Sequence, residues 1–197
     1  MPPTADGPSW RPHRRDPNWV AAPPDPRVRE FHQQLDGYAP TPLIELPQLA
    51  AELGAARVFV KDESHRLGLP AFKALGASWA VHRALHGRAD DGPDAGSGVL
   101  VTATDGNHGR AVARFAAHSG RDATVFVPDG VHPQAVAAIG AEGAHVVRVD
   151  GDYDDAVEAA ATMAAETDAI LVQDTAWDDY VEVPGWIVDG YATMFAE

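Results

Sequence analysis

Apolar residues along the chain follow two alternating rhythms. Short runs rich in β-branched residues occur at 99–103, 123–127, 145–149 and 169–173. Between them, at 107–119, 133–139 and 153–166, apolar residues recur at helical spacing. Turn residues separate the two kinds of segment. Four strands alternating with helices predict an α/β fold, a parallel sheet flanked by helices and joined by right-handed crossovers. In such a sheet the functional site lies at the carboxyl ends of the strands.

The first hundred residues are less regular. Residues 1–27 are rich in Pro, Arg and Trp and read as an extended arm that Trp10 and Trp19 could pin to another surface. The pattern predicts a short helix over 28–35 and an extended, proline-punctuated segment from Tyr38 to Leu46. A second short helix over 47–53 is closed by Gly54, and 57–61 reads as a strand. Residues 89–98, Ala-Asp-Asp-Gly-Pro-Asp-Ala-Gly-Ser-Gly, form a polar surface linker.

Composition narrows the function classes. Hydrophobic residues make up 45% and charged residues 22% of the 197, as in soluble globular proteins. Twenty-nine acidic residues face 15 basic ones, a net charge of −14 that disfavours binding to nucleic acid or to anionic membrane surfaces. No apolar run approaches the roughly 20 residues of a membrane span, and the start lacks the apolar core of a secretory signal, so a cytoplasmic location is expected. With no cysteine, a disulfide framework, a zinc ribbon and a thiol nucleophile are excluded. Of the 15 basic residues only Lys61 and Lys73 are lysines. Where Arg serves almost every positive charge, a retained Lys raises the question of what Arg could not do. Lys can lose its proton and form an imine; Arg stays protonated.

Three blocks carry candidate chemistry. The first, Lys61-Asp-Glu-Ser-His-Arg-Leu-Gly-Leu-Pro-Ala-Phe-Lys73-Ala-Leu-Gly-Ala, leaves a strand, turns through Gly68 and Pro70 and starts a helix near Lys73. The positive end of the helix dipole favours the neutral, nucleophilic form of such a lysine. Phe72 offers an apolar face for an aromatic ring. The second, Thr102-Ala-Thr104-Asp105-Gly106-Asn107-His108-Gly-Arg110, joins a strand to a helix whose first N–H groups suit a carboxylate. The third is Gln173-Asp174-Thr-Ala-Trp177 followed by Val183-Pro-Gly-Trp186-Ile-Val-Asp-Gly-Tyr191-Ala-Thr; here Asp174 directly follows a strand. Each block alone also reads as an ordinary helix start, turn or cap.

Together and in this order the blocks resemble the fold-type-II, tryptophan synthase β-like enzymes that use pyridoxal 5′-phosphate (PLP). In detail they are similar to diaminopropionate ammonia-lyases, which share Lys-Asp-Glu-Ser, Ala-Phe-Lys, Asp-Gly-Asn-His-Gly and Asp-Thr-Ala-Trp. Leu69 stands where serine and threonine dehydratases prefer Ser or Gly, and Asp105 where they have Ser. The resemblance runs from about Arg14 to the C-terminus. It implies that Lys73 holds PLP as an imine, with Phe72 and Asn107 also at the cofactor. It implies that Thr104, Asp105, Gly106, His108 and Asp174 contact a small amino-acid substrate. Lys73 and Asp105 could each remove a Cα proton, one per substrate enantiomer, while Asp174 orients the distal ammonium.

The implied reaction is β-elimination of ammonia from 2,3-diaminopropionate, giving pyruvate and ammonia. A serine/threonine dehydratase-like activity and an inactive α/β module remain alternatives. Chains of the family are about twice as long, and their C-terminal half carries the phosphate-binding glycine loop and the residue at the pyridine nitrogen. The chain is therefore expected to be truncated, with poor PLP affinity and doubtful activity alone, and homodimeric if full-length. The expected division is an arm at 1–27, part of a large domain at 28–88, a small α/β domain at 99–175, and the start of a return to the large domain at 176–197. Asp179 stands where the family often has Gly, which leaves that turn open. His82 and His86 are a possible metal pair with no third ligand, set against a solvated helix face. Asp152, Asp154 and Asp155 read as an acidic helix start and lack calcium-loop spacing. No Gly-x-Ser-x-Gly or strand-linked Gly-x-Gly-x-x-Gly supports a serine hydrolase or a dinucleotide site.

Overall fold

The computed structural model describes Asn18, Val20, residues 23–86 and residues 98–197. Trp10, Trp19 and most of the 89–98 linker lie outside the described residues. In chain order the elements are α1 (Arg27–Gln33), β1 (Leu43–Glu45), α2 (Pro47–Leu53), β2 (Phe59–Lys61), α3 (Lys73–His86), β3 (Leu100–Ala103) and α4 (Asn107–His118). There follow β4 (Ala123–Pro128), α5 (Pro133–Gly140), β5 (His145–Val149), α6 (Tyr153–Glu166), β6 (Ile170–Leu171) and α7 (Glu182–Ala196).

The expected parallel sheet is present, in the order β5-β4-β3-β6. Side chains alternate across it. Leu100 of β3 joins the core formed with α3, α4 and α7, whereas Val101 and Ala103 meet Ala156 and Ala160 of α6 on the other face. Helices thus cover both faces, as all-parallel sheets require. α6 begins with a reciprocal cap: the Asp152 carboxylate accepts the N–H groups of Asp154 and Asp155, and Asp155 accepts that of Asp152. The acidic cluster is a helix start, as its spacing suggests.

β6 is shorter than the predicted 169–173, for a local reason. The Val172 N–H still donates to the Val101 carbonyl. One residue later the ladder passes to a side chain, because the Ala103 N–H donates to Gln173 Oε1 at 2.8 Å. The Gln173 N–H turns away to the Tyr180 hydroxyl.

β2 belongs to a separate antiparallel pair with β1, with Ile44 opposite Val60. The extended segment predicted from Tyr38 contributes this partner strand. Leu67 and Gly68, both at positive φ, make the turn that leads from β2 towards α3, and the Leu69 N–H donates to the Arg66 carbonyl across it. Arg66 is buried against Glu63 and Glu197, and Lys61 also reaches Glu197.

After β6 a tight turn pairs Trp177 with Tyr180. Asp179 adopts φ 70° there, so it takes the left-handed conformation that Gly adopts freely. α7 then packs on α3. A Cβ on Gly76 would lie 2.5 Å from the Tyr191 ring, and one on Gly190 would lie 2.6 Å from the Leu75 carbonyl, so the two glycines set this close approach. α1 is tied to both helices by buried His32, which donates from Nε2 to the Leu75 carbonyl and accepts from the Thr193 hydroxyl at Nδ1.

Candidate functional site

The strand order reverses around β3: the chain builds outward through β4 and β5, then returns to place β6 on the other side of β3. Ligands of open α/β sheets settle in the crevice at such a reversal. Here the carboxyl end of β3 delivers residues 104–108 and the end of β6 delivers Gln173 and Asp174. A cavity of about 420 Å³ lies between them and the start of α3. Lys73, Thr104, Asp105, Gly106, Asn107, His108 and Asp174 all line it, together with Ala135 and Tyr153. Phe72 does not. Its ring lies 5.6 Å from Lys73 Nζ and edge-on to Tyr191.

Lys73 Nζ donates to Asp174 Oδ2 at 2.6 Å, linking residues 101 positions apart. This reverses the expectation drawn from the helix dipole. Burial pushes the Lys73 ammonium down, but the paired Asp174 carboxylate, with the Tyr191 phenol, outweighs it and the net shift is upward. Burial likewise raises Asp174, but its interactions with His108 and with the Lys73 ammonium, which donates to it, outweigh this and the carboxyl ends below its usual range. Lys73 therefore stands as an ammonium held by Asp174.

His108 is buried behind the pair. Its Nε2 donates to the Val172 carbonyl at 2.9 Å, leaving Nδ1 without a hydrogen bond, 3.7 Å from Asp174 Oδ2. Burial holds this imidazole below its usual pKa, more strongly than Asp174 raises it. The neutral ring thus keeps a buried, unused acceptor beside Asp174.

The loop after β3 is shaped by Thr104, whose hydroxyl oxygen accepts the N–H groups of Gly106 and Gly109 at 3.0 Å each. Gly109 allows α4 to sit this close; a Cβ there would stand 2.4 Å from Thr104 Cγ2 and 2.7 Å from Val125 Cγ1. Thr104 thus takes the third N–H of α4, whose first residues, Asn107 and His108, line the cavity. Asp105 and Asn107 are exposed there.

Two supporting residues carry little sequence signal. Gln173 is fully buried, binds Thr102 and Ala103 through Oε1, and donates from Nε2 to the Tyr153 hydroxyl at 2.9 Å. Its place beside Asp174 at a strand end was the available hint. Tyr153 opens α6 directly after the Asp152 cap, a position that says nothing of the cavity it lines. Tyr191, on α7, places its ring centroid 5.7 Å from Lys73 Nζ. His82 packs against Trp79 and His86, and among the described residues no three potential ligands gather to hold a metal. No helix among the described residues is long and apolar enough to cross a membrane.

A lysine thus lies at the sheet reversal, facing the start of α4 and a glycine-flanked loop. Residues 34–197 match the profile of the family described as pyridoxal-phosphate dependent enzymes, and the chain belongs to that family. Its fold is the tryptophan synthase β-like, fold-type-II architecture. Within the family the chain is similar to diaminopropionate ammonia-lyases. That of Escherichia coli (strain K12) is 39% identical over 114 residues, covering 51% of this chain and 28% of that protein. That of Salmonella typhimurium (strain LT2) is 42% identical over 115 residues, with the same coverage. The crystal structure of the E. coli enzyme in apo form superposes with a TM-score of 0.77 at 39% identity, covering 85% of this chain. The matched part is 48% of that structure, so the chain spans about half its length.

The residues present fit PLP. Lys73 would supply an amine for its aldehyde carbon, and the cavity volume is in the range of small-molecule sites. His108 Nδ1 and Tyr191 Oη are buried polar atoms near this amine that still lack partners.

Proposed function

We propose that this chain carries the lysine-bearing part of a PLP-dependent ammonia-lyase acting on 2,3-diaminopropionate. The observation that supports the reading best is the 2.6 Å pair between Lys73 and Asp174 at the edge of a cavity that Asp105 also lines. When bound, PLP supplies an electron sink that makes the Cα proton of an amino acid removable.

Lys73, with Asn107 nearby, would hold the cofactor. The start of α4 would receive the substrate carboxylate through the N–H groups of Asn107 and His108, that of Gly109 being taken by Thr104. Asp174, released from Lys73, would receive the distal ammonium that distinguishes a diamino acid from serine or threonine. Its lowered pKa keeps it anionic for that purpose. Lys73 Nζ and the exposed Asp105 carboxylate would take the Cα proton, one for each enantiomer. Thr104 would hold the loop in place, and neutral His108 would bound the pocket. The balanced reaction is diaminopropionate and water giving pyruvate and two ammonia.

The test combines chemistry and specificity. Borohydride reduction in the presence of PLP should add a pyridoxyl group at Lys73, read by peptide mass spectrometry. In a panel of 2,3-diaminopropionate, serine and threonine, pyruvate or its homologue should form fastest from the diamino acid. Attachment at another residue, or a preference for the hydroxy acids, would overturn the assignment.

A further inference from the structure

Tyr191 lies outside the cavity lining, yet it is packed against the residue on which the proposed chemistry turns. Its hydroxyl is buried and has no hydrogen-bond partner. Such a group is destabilising if it stays unpaired. Lys73 Nζ lies 5.7 Å from its ring centroid, and the Phe72 ring meets it edge-on at 5.0 Å. The Lys73 ammonium carries three N–H donors, one of which goes to Asp174. An acceptor without a donor thus stands beside a cation with donors to spare. The neighbourhood is rigid, because the missing side chain of Gly76 lets the Tyr191 ring press onto α3 one turn after Lys73.

We infer that Tyr191 is a positioning residue for Lys73: its buried phenol oxygen is a second acceptor for the Lys73 ammonium, holding the amine at the cavity edge when a cation takes Asp174. The inference rests on the Lys73 reading above for its importance to catalysis, but not for its test. Asp174 and His108 face Lys73 from the strand end and from α4, and Tyr191 faces it from α7. Asp105 and Tyr153 line the same cavity. Lys73 and Asp174 are the charges felt by Tyr191, whose phenol is pushed up by burial and drawn down by the ammonium.

The two lysines of the chain provide the measurement. Reductive methylation with formaldehyde and cyanoborohydride, without cofactor, is followed at Lys73 and Lys61 from pH 7 to pH 10. Tyr191→Phe keeps the ring that packs on Gly76 and removes only the acceptor. The ammonium is then less stabilised, and the Lys73-to-Lys61 rate ratio should rise about threefold, equivalent to about half a pH unit. Asp174→Asn calibrates the scale with a larger rise. A ratio that stays constant or falls in Tyr191→Phe overturns the inference, whatever the cofactor experiment shows. Should that variant fold poorly, ¹³C-tyrosine NMR of Lys73→Met decides. Tyr191 should then titrate at higher pH while Tyr38 is unmoved, and an unchanged Tyr191 titration overturns the inference.

Discussion

Lys61 and Lys73 each end on a carboxylate, at 2.7 Å on Glu197 and 2.6 Å on Asp174. The contacts are alike in length and differ in surroundings. Around Lys61 every group is used. Glu197 also binds Arg66, Tyr38 and the Thr41 N–H, and Lys61 also donates to the Thr41 carbonyl. Burial would raise the Glu197 carboxyl, but Arg66 and Lys61 hold it down at about 2. Around Lys73 the account is left open. His108 Nδ1 and Tyr191 Oη are unpartnered, and a cavity adjoins the pair. A closed network fixes the backbone between β1 and α3, while an open one keeps donors and acceptors available to a ligand. An ion pair thus marks candidate chemistry through what around it stays unsatisfied.

The sharpest break in the comparison is chemical. Lys73→Ala should abolish pyridoxyl attachment, whereas Lys61→Arg should leave it intact, as peptide mass spectrometry after borohydride reduction reads directly. Attachment that survives in Lys73→Ala would remove the distinction.

Stability should divide the other way. Glu197→Ala takes one of two carboxylates from the buried Arg66, leaving Glu63, and also removes the partner of Lys61; the lost charge-assisted hydrogen bonds should cost about 2 kcal/mol in urea unfolding. Asp174→Asn, whose partner Lys73 is part-exposed, should cost under about 1 kcal/mol.

His32 extends the closed side of the comparison. Burial brings it to about 4, against an ordinary 6.5. The unfolded chain binds the extra proton between these values. The neutral ring therefore contributes fully above pH 6.5, and that contribution is lost as pH falls towards 4, by about 3 kcal/mol in all. His32→Gln should flatten the pH dependence of the urea midpoint over that window. His108 shifts in the same direction and should leave a residual slope. The smallest effect is expected at the turn beside the site. Asp179→Gly relieves a left-handed residue and should raise stability by under about 1 kcal/mol, seen as a higher melting temperature.

The four-stranded sheet was legible because each strand, turn and helix is a local pattern of apolar spacing. Lys73, Asp105 and Asp174 were legible for a related reason, since each sits where a strand end or helix start must be. The segments of β1 and β2 read as extended, but their antiparallel pairing did not show, because their residues are largely exposed and leave no clean one-sided alternation. Gln173 was visible as a letter in a motif, but its replacement of a ladder bond depends on where Ala103 lies.

By itself, the sequence determined the order of elements, the edge of the sheet at which the candidate residues gather, and the scarcity of lysine that singled out Lys73. Tertiary structure decided the state of that lysine. The helix dipole argued for a neutral amine, but Asp174 arrives from 101 residues away and its charge prevails at 2.6 Å. Helix and strand propensities act over a few residues, whereas Coulomb forces act on whatever the fold brings near. The proton on Lys73 and the unpartnered atoms around it could therefore be read only after the chain had closed.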